Sequence, residues 1–493
     1  MRKKFNQEHN LDAILIADVK LDTRSRHQLP QLLAGLQYIL VTPQLNKEVF
    51  EILEKKILSG KKSTGRLGMT LWEVLVLGAM RLNLDSDYDS LQDLSNHHDN
   101  VRAILGVHTK QVFGAGKYYE LQTIKDNVAL LDEKTLQAIS EVVVKAGHKL
   151  KKKEDQDIEF NLKTDSYAVE SNIHFPTDIN LLWDSGRKCL DTVKIVDKKI
   201  GLKGWRKLRI WNRKLKNSYR KVADIHRKKG KGYKARISKA TVEYLLIARE
   251  LNERILESVK ELRASADILA LIYEQVLTYY QGMLCKHIDL VERRILKGEK
   301  IPHKEKVFSI FEPHVEWIQK GKANNKVELG HNTLITTDQH HFIVDHKVMV
   351  GETDVEQPIE LLERIKCRFS QGYSINSMSF DRGFHSLLAK KALGKKVKTL
   401  IMPSKGKQKA EQRDEENQKT FKAFRNKHSA VESNINELEH AGVNKVPDRG
   451  LPGFKKYVAF GVLAYNIRRL GKVVIEDKRL DTLIKPGKLL KAA

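Results

Sequence analysis

Ile158–Phe175, with the sequence IEFNLKTDSYAVESNIHF, is the stretch on which the fold turns. Ile158, Phe160, Leu162 and Thr164 alternate with polar residues, the two-residue period of a half-buried strand. Val169, Ser171, Ile173 and Phe175 alternate again and read as a hairpin partner. Pro176-Thr177-Asp178 then punctuates the chain, and Asp178 is placed to cap a helix. Upstream, Lys151–Asp157 is a charged linker. Asp165 stands at the end of the first alternating run.

Working outward, residues 1–150 read as mostly helical. Thr70-Leu71-Trp72-Glu73 has capping-box spacing, and the apolar run Leu71–Leu84 follows it. Asp87 and Ser90 start a second helix carrying Leu91 and Leu94; Val101, Ile104 and Leu105 mark a third. Three short helices with tight turns suit a helix-turn-helix-like DNA reader or an ordinary packing domain equally well. Downstream, residues 179–300 read as helical throughout. Leu, Ile and Ala recur between Tyr244 and Ile295 at three- and four-residue spacing, the mark of long amphipathic helices. Strand signals return at Val307–Phe311 and across Thr333–Val350. Pro358–Phe369 reads as helix, Ile375–Phe380 as strand, Ser386–Leu393 as helix and Val397–Met402 as strand. Pro403–Gln418 reads as a mobile polar loop. Phe421–Gly471 reads as two helices divided by the turn Val446–Gly453, with Tyr457, Phe460, Tyr465 and Leu470 suited to packing. A sheet interrupted by a large helical insert, then closed by helices, is an α/β core with an excursion.

The chain has 493 residues, 41% of them hydrophobic, enough to bury several cores. No apolar run reaches the ~18 residues of a membrane span. The N-terminal MRKKFNQEHN is basic, but the apolar patch Ala13–Ala17 is too short for a signal peptide. Cys189, Cys285 and Cys367 lie far apart, which excludes a disulfide framework or a thiol-based zinc site and fits a reducing cytosol. Against 62 acids stand 89 Lys and Arg, a formal net charge of +27 that points to a polyanionic partner. The excess is concentrated: residues 198–239 hold eighteen Lys and Arg and one acid, Asp224. Trp205, Trp211, Tyr219 and Tyr233 are interleaved with them. Cations neutralise phosphates and aromatics stack on bases, so the stretch reads as a nucleic-acid contact. Its candidate contacts are Arg206, Lys207, Arg209, Arg213, Lys214, Arg220, Arg227 and Lys228.

Three acids stand where chemistry is feasible. Asp165 ends the strand Ile158–Thr164. Asp381 ends the strand Ile375–Phe380 in SMSFDRGFHS, where Gly383 permits a tight turn. Glu432 lies in the helix KHSAVESNINELEH. Each also has an ordinary role: Asp381 can start a helix, and Glu432 can pair with Lys427 or His428. Brought together, carboxylates repel unless a cation sits between them. Mg²⁺ prefers such hard oxygen ligands, and two ions ~3.5–4 Å apart activate an attacking oxygen and stabilise a leaving one.

LKTDSYAVESNIHFPTDINLLWDS, SFDRGFHS and KHSAVESNINELEHAGVNKVPDRGLPGFKKYVAFGVLAYNIRRLG resemble the three catalytic blocks of bacterial insertion-sequence DDE transposases, ISNCY-like ones above all. GKANNKVELGHNTLITT, from Gly321 to Thr337, resembles a strand block of the same enzymes. MTLWEVLVLGAMRLNLDSDYDSLQDLSNHHDNVRAILGV resembles their helical DNA-binding region. The similarity covers most of the chain. It implies an α/β ribonuclease-H-like catalytic core, interrupted by a large all-helical insertion and preceded by a helical N-terminal DNA-binding region. The boundaries expected are 1–150 for that region, 151–184 and 305–475 for the core, 185–304 for the basic insertion and 476–493 for a basic tail.

The resemblance makes Asp165, Asp381 and Glu432 the catalytic and metal-binding acids. Two Mg²⁺ ions are expected, with Mn²⁺ able to substitute. Related enzymes often carry Tyr, Arg and Lys at minus seven, minus four and plus seven from the Glu. This chain has Arg425, His428 and Glu439 there, which leaves Glu437 and Glu439 as fallbacks for Glu432. Arg382 is a candidate phosphate contact, and His385 a candidate for orienting a phosphate or water. Trp183, opening the insert, is a candidate for base stacking. The activity implied is cleavage at element ends and strand transfer into target DNA, by a homodimer at the bacterial nucleoid in the cytoplasm, without membrane association. Competing readings are a metal-dependent nuclease that does not rejoin strands, a domesticated non-catalytic DNA-binding protein and an RNA-binding scaffold.

Overall fold

The computed structural model describes residues 2–5, 14–60, 67–107, 117–151, 158–319, 327–406 and 410–484. The expected linker at 152–157, the start of the block Gly321–Thr337 and the end of the basic tail lie outside the described residues. The chain forms two compact units, one of Met1–Asn172 with Ile318–Ala493 and one of Ile173–Trp317.

Among the described residues the α-helices that open the first unit are α1 (Gln28–Val41), α2 (Pro43–Ile57), α3 (Leu71–Arg81), α4 (Tyr88–His97), α5 (Asp99–Ile104), α6 (Leu121–Val128) and α7 (Glu133–Lys151). The capping box at α3 is present in full: the Thr70 hydroxyl accepts from the Glu73 N–H, and the Glu73 carboxylate accepts from the Thr70 N–H. Every residue of α3 is buried, so it is a core element. These helices share one continuous hydrophobic cluster with the sheet, running from Ile16 to Val474. The expected boundary at residue 150 therefore does not separate two compact units.

After α7 comes β1 (Ile158–Ser171), and then the second unit, which holds α8 (Asp178–Lys199), α9 (Leu208–Lys228), α10 (Tyr233–Arg263) and α11 (Ile268–Val291). The excursion is wider than 185–304, because α8 packs into this unit from its first turn: Ile179, Leu182 and Cys189 are core residues there. Thr177, not Asp178, caps α8, its hydroxyl accepting from the Asn180 N–H. Val307–Phe311 is not a strand. Its groups are engaged otherwise: Phe308 packs on Trp317, and the Ile310 carbonyl accepts from the Tyr279 hydroxyl.

The remaining strands are β2 (Glu316–Ile318), β3 (Glu328–Thr337), β4 (Ile343–Val348), β5 (Tyr373–Phe380), β6 (Thr399–Ile401) and β7 (Lys445–Val446). They form a mixed seven-stranded sheet in the order β2-β3-β1-β5-β6, with β4 beside β3 and β7 beside β1. β1 runs antiparallel to β3 and parallel to β5, and β5 is parallel to β6. The second alternating run of the opening stretch is no hairpin partner. It continues β1, which pairs with β3 without a break from Lys163 to Glu170. What changes near Asp165 is the face that is covered: Phe160, Leu162 and Thr164 are buried, then Tyr167, Ala168 and Val169.

Helices α12 (Gln357–Arg368) and α13 (Leu387–Gly394) lie in the connections to β5 and β6. α14 (Ala410–Asn417) replaces part of the expected loop. It carries almost no apolar side chains and is anchored by polar ones: Glu415 pairs with Lys390 at 2.7 Å, and Glu416 accepts from the Ser404 N–H at 2.8 Å. α15 (Lys419–Leu438) lies against the sheet, and α16 (Gly450–Ile484) buries Tyr457, Phe460, Tyr465 and Leu470. α1 and α16 cross at glycines. A Cβ on Gly471 would sit 1.8 Å from the Gln31 carbonyl oxygen, and one on Gly35 2.0 Å from that of Ile467.

Candidate active site

The site grows from the register of β1 on β5. Asn161 faces Ser377, Lys163 faces Ser379 and Thr164 faces Phe380. One step further, Asp165 and Asp381 follow on adjacent parallel strands and on the face shared with Lys163 and Ser379. Asp381 keeps an extended backbone at φ −75° and ψ 168°. Neighbouring strands lie about 4.8 Å apart, and the two acids each follow directly on the last register pair, Thr164 and Phe380. The Asp381 side chain makes no cap hydrogen bond to the turn Arg382–Phe384 that it precedes. Asp165 is half-buried and accepts from the Ser166 N–H at 2.7 Å.

α15 covers this face. Ser379 Oγ lies 2.8 Å from His428 Nδ1, while His428 Nε2 is buried without a hydrogen-bond partner among the described residues. Burial pushes His428 below the ordinary histidine pKa, against the pull of Asp381 and with the help of the Lys163 cation. Glu439, seven residues beyond Glu432, raises the pKa of the buried Tyr167 on β1, after the larger effect of burial. Glu432 lies one turn after His428, between these two neighbours of β1 and β5, and it is exposed. No ion pair to Lys427 or His428 engages it among the described residues. Of the fallback acids, Glu437 is already held by Arg468 and, at 3.7 Å, by Lys472.

A cavity of about 500 Å³, lined by none of the three acids, opens between the sheet and α15. Its walls include Asn161, Lys163, Gln339, Ser379, Lys427 and Ser433. Lys163 donates to the Asp338 carbonyl at 3.2 Å, and burial lowers its pKa. The Asn161 carbonyl accepts from Asn376 at 2.9 Å and from Ser377 at 2.8 Å. Sequence reading passes over Lys163 and the cavity. The signal is there in the alternation of Asn161, Lys163 and Asp165, all on one face of β1. Among the described residues no three His, Cys, Asp or Glu side chains converge closely enough to hold a metal ion. The donor set of hard oxygens on Asp165 and Asp381 suits a single dication, with Glu432 apart from them on the helix.

The basic stretch forms the loop before α9, α9 itself and the start of α10. Arg206, Lys207, Arg209, Arg213, Lys214, Arg220, Arg227 and Lys228 are all exposed, and only Leu215, Ser218 and Val222 of α9 are buried. Arg382 is exposed beside Asp381. Trp183 is partly buried and stacks on Tyr219, with ring centroids 5.6 Å apart and planes 13° apart, so its face is already occupied within the bundle.

No family model, curated protein or solved structure matches this chain. Among the described residues no helix is long and apolar enough to cross a membrane.

Proposed function

We propose that this protein is a DDE transposase of an insertion sequence, with a ribonuclease-H-like core that cuts DNA at element ends and joins them to target DNA. The observation that carries the reading is the register of β1 on β5, whose last pair, Thr164 and Phe380, is followed directly by Asp165 and Asp381, on two strands that α15, the helix bearing Glu432, packs against. An antiparallel β1-β3-β4 meander extended by parallel β5 and β6 supports the core assignment. The exposed cations of α9 support a DNA partner.

Asp165 and Asp381 would hold one Mg²⁺ or Mn²⁺ ion; Glu432 stands apart from them on α15 and joins no shared ion site among the described residues. The chemistry supplied by a dication held there would be polarisation of the scissile phosphodiester and activation of the oxygen of a water or 3′-hydroxyl that attacks it. The chain's own groups do the remainder. Lys163 and Lys427, which line the cavity beside α15, offer positive charge to phosphate oxygens. His428, kept neutral by burial and fixed through Nδ1 by Ser379, presents Nε2 as a proton acceptor beside Asp381. Because two element ends must be handled together, a homodimer on DNA belongs to this reading.

A strand-transfer assay tests it. Pre-cut duplex ends, the full chain and Mg²⁺ are expected to give joined product with a supercoiled target. Cleavage with no joined product would replace the transposase by a nuclease on the same core. Binding with neither product would leave a non-catalytic DNA-binding protein.

A further inference from the structure

A second, larger cavity lies wholly within residues 175–317 and has a volume of about 910 Å³. One wall is aromatic: Trp317 stands between Phe308, at 5.5 Å centroid distance and 36°, and Phe175, at 5.9 Å and 64°. Phe175 is 58% exposed, far more than a packing role requires. Across the cavity, Tyr233 meets His226 edge to face at 6.4 Å. Tyr233 and Lys234 form the first turn of α10, and Asp178 to Asn180 form that of α8, so two helix N-termini also line it.

The lining holds five cations and one carboxylate. The carboxylate, Asp178, is spent on Arg294 at 2.6 Å. Arg227 and Lys297 have acids nearby, Asp224 at 2.8 Å and Glu292 at 3.3 Å. Lys234 and Lys306 have no ion pair among the described residues. Flat aromatic faces suit a base, while unpaired ammonium groups and helix N-termini suit a phosphate. A sugar joins the two chemistries at nucleotide length.

We propose that this cavity binds one nucleotide, its base against Trp317 and Phe308 and its phosphate at Lys234 and the start of α10. The ligand is either a free nucleoside monophosphate or an unpaired nucleotide of a DNA strand. The site goes beyond the proposed strand chemistry and holds whether or not Asp165 and Asp381 cut DNA.

Calorimetric titration of the full chain with dAMP, deoxyadenosine and deoxyribose 5-phosphate tests the double recognition. dAMP is expected to bind at least about tenfold more tightly than either half. Trp317→Ala and Lys234→Ala should each weaken dAMP about tenfold, whereas Trp317→Phe and Asp165→Asn should leave it nearly unchanged. Lys234 is exposed, so its variant reports on the site even if Trp317→Ala fails to fold. Labelled duplexes, blunt or with a 3′ overhang, separate the sources. An overhang advantage removed by Lys234→Ala identifies a strand nucleotide; dAMP binding without that advantage identifies a free one. If Lys234→Ala changes neither dAMP binding nor the overhang preference, the site is overturned. Asp165→Asn protein that binds dAMP normally and does not cleave keeps that outcome separate from the catalytic one.

Discussion

β1 and α9 carry the two halves of the functional reading, and they carry it in opposite ways. α9 states its role locally: its cations are contiguous in sequence, exposed and almost free of acids. β1 says little by itself. Asp165 gains meaning from Asp381, brought alongside by strand register, and from α15 laid over both. The surface proposed to attract a polyanion is thus written in composition, while the group proposed to act on it is written in topology.

Exchange of carboxylate for amide on β1 or β5 should break the comparison most sharply. Asp165→Asn and Asp381→Asn are each expected to lower cleavage about a thousandfold or more, the loss of several kcal/mol of charge stabilisation. DNA affinity should stay within about twofold, because α9 is untouched. Single-turnover cleavage of an end-bearing duplex, with a parallel binding isotherm, measures both. Turnover near the wild-type rate would remove the substituted residue from the site.

Neutralising α9 should do the reverse. Arg209, Arg213, Lys214 and Arg220, all changed to Gln, are expected to reduce DNA affinity on the order of a hundredfold at low salt. The slope of log K against log salt should fall by up to ~0.9 per lost phosphate contact. Cleavage at saturating DNA should persist. An unchanged slope would mean that α9 faces something other than a phosphate backbone.

The same contrast explains what the sequence discloses. The Thr70–Glu73 box, the alternation at Ile158–Thr164 and the strand Ile375–Phe380 are legible because each is a local pattern. The change of buried face near Asp165 looks like a hairpin because periodicity records burial and not the identity of the covering layer. α14 escapes notice because Glu415 and Glu416 find their partners in Lys390 and Ser404, which no local pattern reveals. The insert starts earlier than its composition suggests because Ile179 and Leu182 belong to a core whose other members lie far along the chain. Trp183 reads as a base-stacking candidate or, more readily, as a packing residue; its stacking on Tyr219 is a contact between two helices that no local pattern reveals.

Acid sharpens the comparison at the level of stability, because each unit buries a neutral histidine. Burial lowers the pKa of His346 on β4 to about 4, opposed by Asp345 and aided by Arg368 and Arg364. Burial likewise lowers His287 on α11 to about 4, opposed by its hydrogen bond to the Met283 carbonyl. In the unfolded chain both titrate near ~6.5. The folded state refuses a proton that the unfolded state accepts, so the contribution is complete above ~6.5 and is lost as pH falls toward 4. Each residue should cost about 1.4 kcal/mol per pH unit across that window. Urea unfolding at neutral and mildly acidic pH should show this slope in the wild type. His346→Leu and His287→Leu should flatten it, each in its own unit; parallel slopes in variant and wild type would show that other groups set the acid limit.

The smallest expected effect lies at helix starts. α3 begins with a hydroxyl cap, Thr70 Oγ1 accepting from the Glu73 N–H at 3.2 Å, whereas α9 begins at Lys207 with no side-chain cap. α3 is buried on all sides, so its first-turn N–H groups have no access to water to replace a lost partner. Thr70→Ala should therefore cost about 1 kcal/mol. Lys207→Ala should leave stability unchanged, because α9 is held by Leu215 and Val222 and not by its end. Denaturant midpoints of the two variants measure the difference. Equal midpoints would show that Glu73, which also accepts from the Tyr119 hydroxyl at 2.5 Å and from Lys117, holds the helix start without the threonine.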